Sequence, residues 1–243
     1  MCRHLAWLGA PRTLADLLLD PPSSLLRQSW VPRRQRHGRV NGDGWGVGWW
    51  SAAAPTPARW RSATPIWAHA SLGSVARHVS STCIVAAVRS ATPGMPADET
   101  ACAPFGRDEW LLSHNGRVDR SLLPPAAWQG AESVCDSAVL AAHLLADPYA
   151  LADRVAAVGH ADPSARLNVL LADGARLLAT TWGDSLAVLV TPDGVAVASE
   201  PYDDDPRWRD VPDRSLVTVT ADGVAVHDLP NPHGDPVGDD MED

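Results

Sequence analysis

The chain contains no lysine, a single phenylalanine (Phe105) and only two tyrosines (Tyr149 and Tyr202) among its 243 residues. Without lysine there is no side-chain amine for Schiff-base chemistry. No apolar run approaches the ~18 residues of a membrane-spanning helix. The one apolar stretch near the N-terminus, Leu5 to Ala10, is too short for a signal-peptide core and runs into Pro11 and Arg12. Positive charge is scarce as well: 20 basic residues stand against 29 acidic ones, a net charge of −9. Nucleic acids and anionic membranes are bound through a basic face, so neither is expected as a partner. These absences predict a cytoplasmic protein. Its four cysteines (Cys2, Cys83, Cys102 and Cys135) form no pair at the spacing of a zinc knuckle or redox motif. Free thiols in a reducing compartment are expected. His4, His69, His143, His160 and His227 lack metal-ligand spacing, so no metal is expected either.

What is present suffices for one sizeable core: 45% of residues are apolar, including 11 tryptophans. Strand-like runs alternate with turns, and helices are few. Arg3 to Gly9 reads as a buried strand. Thr13-Leu-Ala-Asp16 has the form of a capping box and starts a helix that Pro21 and Pro22 stop. Ser29 to Gly44 is a basic loop, and Trp45 to Trp50 is a glycine-rich strand. Further strands are predicted at 59–62, 83–90 and 109–113. Helices follow over 137–146 and around Leu151, Val155 and Val158. Asp-Gly turns then punctuate a meander of β-rich runs from Leu167 to His227. The pattern predicts one α+β domain over residues 2–229 and an acidic disordered tail over 230–243.

Four places carry candidate chemistry. If the initiator methionine is removed, Cys2 unites a thiol with a free α-amine. An amine of pKa about 7.7–8 suits a thiol's proton at neutral pH; alternatively, Cys2 merely begins a buried strand. Asn115-Gly116, after the apolar Trp110-Leu-Leu112, offers a side-chain amide beside an unhindered backbone N–H. That pair suits an oxyanion, although the same dipeptide suits a tight turn. Arg89 closes the apolar run 83–88 and needs an anionic partner, either a ligand or an internal carboxylate such as Asp43 or Asp136. Asp136 sits at a predicted helix start, where Ser133-x-x-Asp136 also fits a capping box.

The order of these pieces is more specific than any one of them. Cys2, Asn41-Gly-Asp-Gly-Trp-Gly-Val-Gly-Trp49, Val88-Arg-Ser-Ala-Thr92, His114-Asn-Gly116 and Cys135-Asp-Ser137 resemble the glutaminase domain of class II glutamine amidotransferases, over roughly residues 2–200. The resemblance implies a four-layer αββα sandwich of the N-terminal-nucleophile hydrolase type, with antiparallel sheets and no cofactor. It implies Cys2 as nucleophile and Asn115 and Gly116 as the oxyanion hole. Arg89 would hold the α-carboxylate of a small γ-glutamyl substrate and Asp136 its α-ammonium, with Thr92 and His114 completing the binding set.

The stretches 24–29, 199–208 and 211–214 further resemble the amidohydrolases of ergothioneine biosynthesis, in which the leaving group is a histidine-derived conjugate rather than ammonia. Gly42 departs from the alanine expected in that loop motif. Three functions follow in order: a γ-glutamyl amidohydrolase, a glutaminase subunit serving a separate synthase, and a non-catalytic ligand binder. A trimethylated leaving group would favour an aromatic face, so at least one of Trp45, Trp49, Trp50 and Trp67 is expected to border the pocket.

Overall fold

A computed structural model describes residues 2–231. In chain order the elements are β1 (Arg3–Thr13), α1 (Leu14–Leu18), α2 (Leu25–Gln28), β2 (Trp45–Trp49), β3 (Ala58–Ser62), α3 (Leu72–Val75), β4 (Ser80–Val88), β5 (Phe105–Arg107) and β6 (Trp110–Arg117). The second half continues with α4 (Pro125–Gly130), α5 (Asp136–Leu145), α6 (Leu151–Ala161), β7 (Arg166–Ala172), β8 (Leu177–Thr180), β9 (Ala187–Thr191), β10 (Gly194–Ala198), β11 (Arg209–Asp210), β12 (Ser215–Thr220) and β13 (Gly223–Asp228). The predicted tail lies outside the described residues from 232 onward.

Among the described residues these strands make two antiparallel sheets, ordered β11-β9-β10-β1-β4-β2-β3 and β13-β12-β8-β7-β6-β5. Three apolar clusters fill the spaces that four layers create. Leu14, Leu17 and Leu25 pack with Leu5 and Trp7 beneath the first sheet. Ala6, Val85, Leu170 and Val197 fill the gap between the sheets. Val139, Leu140, Leu144 and Val155 join Leu112 and Val169 on the outer face of the second sheet. β1 shows the alternation behind this arrangement: Leu5 and Trp7 face the helices while Ala6 faces the other sheet, as the two-residue period of a strand requires. Leu140 is fully buried, so truncating it to alanine is expected to cost about 2–5 kcal/mol.

The Thr13 capping box is present: its hydroxyl accepts from Asp16 N–H, and the Asp16 carboxylate accepts from Thr13 N–H at 2.8 Å. Three local expectations change. Residues 167–227 are not one meander, because the β9–β10 hairpin joins the first sheet while β7–β8 and β12–β13 lie in the second. Asn115-Gly116 is not a turn; β6 runs through it, paired with β7 as far as Arg117 opposite Arg166. Nor does Ser133 cap α5. The N-cap is Cys135, with no side-chain cap hydrogen bond. A serine three residues before an acid satisfies the pattern, but the helix begins at the acid itself.

Candidate active site

A cleft lies where β1 begins and β4 ends. Arg3 pairs with Val88 across the β1–β4 ladder, so Cys2 and Arg89 are the next residues on facing strands. Strand alternation gives both side chains the same direction: Cys2 shares a face with His4 and Ala6, and Arg89 with Ala87, Val85 and Cys83. Ala6, Cys83 and Val85 belong to the cluster between the sheets, so this face looks toward β6. Cys2 is half-buried, whereas Cys83, Cys102 and Cys135 are buried. Burial pushes the Cys83 thiol up to about 12 and the Cys102 thiol up to about 11, and raises that of Cys135. Those three behave as small apolar side chains.

Cys2, Arg89, Thr92, His114, Gly116 and Asp136 all line this cleft, with Trp45, Met95 and Phe105 supplying apolar wall. Trp45 is the tryptophan of the expected set that borders it, and it also belongs to the core beneath the first sheet. Arg89 is 7% exposed and donates from Nη1 to the Asp43 carbonyl at 3.3 Å. Among the described residues it forms no ion pair. Neither internal carboxylate proposed for it is its partner: the Asp43 carboxylate instead accepts from Ala91 N–H at 2.8 Å. The arginine's backbone is held from both sides, by Arg89 N–H to Gly44 O at 2.8 Å and Asp43 N–H to Arg89 O at 2.9 Å. Gly44 has φ +127°, and a Cβ there would strike the Cys102 sulfur, so only glycine lets the loop reach this position.

Asp136 is 8% exposed at the first turn of α5. Its carboxylate accepts from Ser137 N–H at 2.9 Å and from Val118 N–H at 3.3 Å, with no cation paired to it among the described residues. The cleft thus holds one buried cation and one buried anion, each fixed by backbone contacts and neither neutralised by the other.

Asn115 is fully buried and does not line the cleft directly. Its Nδ2 donates to Ser199 Oγ at 3.4 Å, and its Oδ1 has no partner among the described residues. Ser199 Oγ also accepts from His4 N–H at 2.9 Å, so this hydroxyl joins the start of β1 to the amide of Asn115. Gly116 pairs with Leu167 and lies so close to the Arg166 carbonyl that any Cβ would collide with it. His114 faces α5: its ring nitrogens meet Ser137 Oγ at 2.9 Å and the Arg166 carbonyl at 2.8 Å. The carbonyl requires an N–H at Nε2, so Nδ1 accepts from the serine. Burial holds His114 below its ordinary pKa and His4 well below it, which keeps both neutral.

Residues that the sequence did not single out complete the surroundings. Arg3 and Glu200 form a buried ion pair next to Cys2, and Ser113 Oγ meets His4 Nδ1 at 3.1 Å. Arg3 and His4 fall in the expected buried strand 3–9 and Glu200 in the stretch 199–208, but neither pattern pointed to a role for them.

A four-layer antiparallel sandwich whose first strand is preceded in the cleft by a half-buried cysteine is that of the N-terminal-nucleophile hydrolases. Residues 22–194 match the family described as class-II glutamine amidotransferases, and the chain belongs to that family. It is 57% identical over 230 residues, 94% of this chain and 100% of the relative, to the gamma-glutamyl-hercynylcysteine sulfoxide hydrolase of Mycolicibacterium smegmatis. A protein of the same name from Mycobacterium tuberculosis is 57% identical over 235 residues, 96% of this chain and 99% of the relative. Among solved structures, a glutamine aminotransferase class-II domain protein from Silicibacter pomeroyi is similar, with a TM-score of 0.66, 25% identity, and coverage of 95% of this chain and 100% of that one. The glutamine phosphoribosylpyrophosphate amidotransferase of B. subtilis shares the fold, with a TM-score of 0.67 at 15% identity over 94% of this chain and 49% of that one.

Proposed function

We propose that this chain hydrolyses the γ-glutamyl amide of γ-glutamyl-hercynylcysteine sulfoxide, releasing glutamate and hercynylcysteine sulfoxide. The observation that carries the reading is the pair of unneutralised charges, Arg89 and Asp136, lining one cleft with Cys2. A glutamyl group bears a carboxylate and an ammonium on one carbon, and such a clamp matches both. Two relatives of more than half identity over nearly their full length, named for this substrate, support the choice of conjugate over glutamine.

In this reading Arg89 takes the α-carboxylate, Asp136 the α-ammonium, and Thr92 and His114 border the glutamyl chain. With both ends held, the γ-carbonyl carbon lies against the Cys2 sulfur, and fixing that approach supplies much of the rate. The α-amine of Cys2, freed by removal of the initiator methionine, takes the thiol proton as sulfur attacks the carbonyl. Gly116 lines the cleft while Asn115 lies behind it with one Nδ2 hydrogen given to Ser199 Oγ, so in this reading its second Nδ2 hydrogen joins Gly116 N–H in donating to the oxyanion. As the C–N bond breaks, the ammonium returns its proton to the departing amine, leaving a γ-glutamyl thioester on Cys2. Water then adds to the thioester, giving its proton to the same amine. Collapse releases glutamate and restores the thiol.

The test is glutamate release by methionine-processed protein, verified by intact mass, with the conjugate and glutamine compared side by side. A large preference in kcat/KM for the conjugate is the expected result. Preference for glutamine would return the protein to a glutaminase role serving a separate synthase.

A further inference from the structure

Two buried charges lie directly behind Cys2 without entering its cleft. Arg3 is 1% exposed and Glu200 fully buried, with Nη1 and Oε2 3.7 Å apart. Arg3 Nε donates to the Cys2 carbonyl at 2.7 Å. Glu200 accepts two backbone donors on its two oxygens, Arg33 N–H at 2.9 Å and Arg34 N–H at 2.7 Å. Arg33 and Arg34 belong to the loop 29–44, whose far end holds the backbone of Arg89 through Asp43 and Gly44. One carboxylate therefore connects the nucleophile's own peptide group to the loop that carries the arginine's support.

Stability alone gives a poor reason for this arrangement. Desolvating two ions in a core costs more than a loose pair returns, and apolar residues of similar volume commonly serve as well or better. Arg3 Nη1 makes no hydrogen bond at all, and burial pulls its guanidinium below the usual arginine range. What the pair does provide is direction: one short Nε–H bond fixes the Cys2 carbonyl, and a two-oxygen acceptor fixes two successive amides.

We propose that Arg3 and Glu200 are positioning residues, which set the orientation of the Cys2 backbone and join it to the loop 29–44 so that sulfur and glutamyl clamp meet in register. The inference rests on Cys2 being the nucleophile.

The experiment compares Glu200→Gln and the double variant R3M/E200M with the parent protein, after methionine removal. The glutamine can satisfy only one of the two loop amides and leaves Arg3 uncompensated. The double variant removes both charges together and so keeps a foldable core even where the single change does not. Three quantities are read: kcat and KM for the γ-glutamyl conjugate, and the rate at which iodoacetamide alkylates Cys2, located by peptide mass. A misdirected but intact nucleophile loses about 10- to 100-fold in kcat with KM and alkylation rate within about threefold, since a small reagent needs no orientation. Unchanged kcat in a folded variant overturns the proposal. So does a parallel loss of kcat, KM and alkylation with melting temperature, which marks a purely structural pair. Cys2→Ala, run alongside, separates the two levels: residual turnover there removes the nucleophile reading itself, whatever the pair does.

Discussion

Arg89 and Asp136 bring opposite charges to one cleft without neutralising each other: the guanidinium is held by the Asp43 carbonyl and the carboxylate by the amides of Val118 and Ser137. Each is nearly buried and carries unused capacity for a charged partner. A ligand that carries both a carboxylate and an ammonium is the kind the proposed clamp would take.

Arg89→Lys is expected to raise KM for a γ-glutamyl substrate about 10- to 150-fold, the equivalent of a charge-assisted hydrogen bond of about 1.5–3 kcal/mol. A lysine keeps the charge but not the fork. Asp136→Asn is expected to weaken binding comparably by removing the ammonium's partner. Steady-state glutamate release reads both, and an unchanged KM in either variant rejects the corresponding clamp role.

Cys2→Ala is expected to abolish turnover while shifting the melting temperature by less than about 3 °C, because a half-buried side chain ahead of β1 supports little packing. Alkylation offers a second check. Iodoacetamide is expected to modify Cys2 and to spare Cys83, whose buried thiol is pushed up to about 12. Activity that survives stoichiometric modification of Cys2 would place the chemistry elsewhere.

Much of the cleft's lining could be read from local sequence, because its signals are local. Asp-Gly turns mark hairpins, the Thr13 box marks a helix start, and the order of Cys2, Arg89, Asn115 and Asp136 marks a family. What escaped reading depends on distant pairing. Whether a hairpin joins one sheet or the other is decided by packing, so β9–β10 and β12–β13 look alike in sequence yet lie in different sheets. The Arg3–Glu200 pair joins the two ends of the fold, and an arginine in an apolar run gives no hint of which carboxylate it meets. Ser199 is of the same kind: an ordinary serine becomes a link between His4 and Asn115 only when β10 pairs with β1.

The two expected oxyanion donors should respond differently to alanine. Asn115→Ala is expected to lower kcat about 10²- to 10³-fold with KM nearly unchanged, since the donor matters only when the oxyanion forms. Gly116→Ala is a backbone problem first. Its Cβ would meet the Arg166 carbonyl across the β6–β7 ladder, so the strands must separate, at a cost of about 1–3 kcal/mol or more. Thermal melting beside kinetics distinguishes them, and a Gly116→Ala protein of parental stability contradicts the close approach.

Acid sensitivity follows from the two buried imidazoles. His4 and His114 both titrate below their ordinary value of 6.5, chiefly because burial disfavours the charged ring, and Arg3 lowers His4 further. Below pH 6.5 the unfolded chain binds protons that the folded chain does not. Stability is therefore complete above that pH and declines as pH falls toward the folded values, by up to about 1.4 kcal/mol per pH unit for each ring. Asp184 works in the opposite sense: burial raises its carboxyl above 3.8, so it opposes the decline wherever it titrates in the folded protein. Comparing variants isolates the histidine contribution. The melting temperature of the parent is expected to fall between pH 7 and pH 5, and His4→Gln is expected to flatten that slope even where it lowers the value at pH 7. A slope identical in the two proteins would mean that His4 takes up its proton in the folded state, which its contact with Ser113 and its full burial between the sheets argue against.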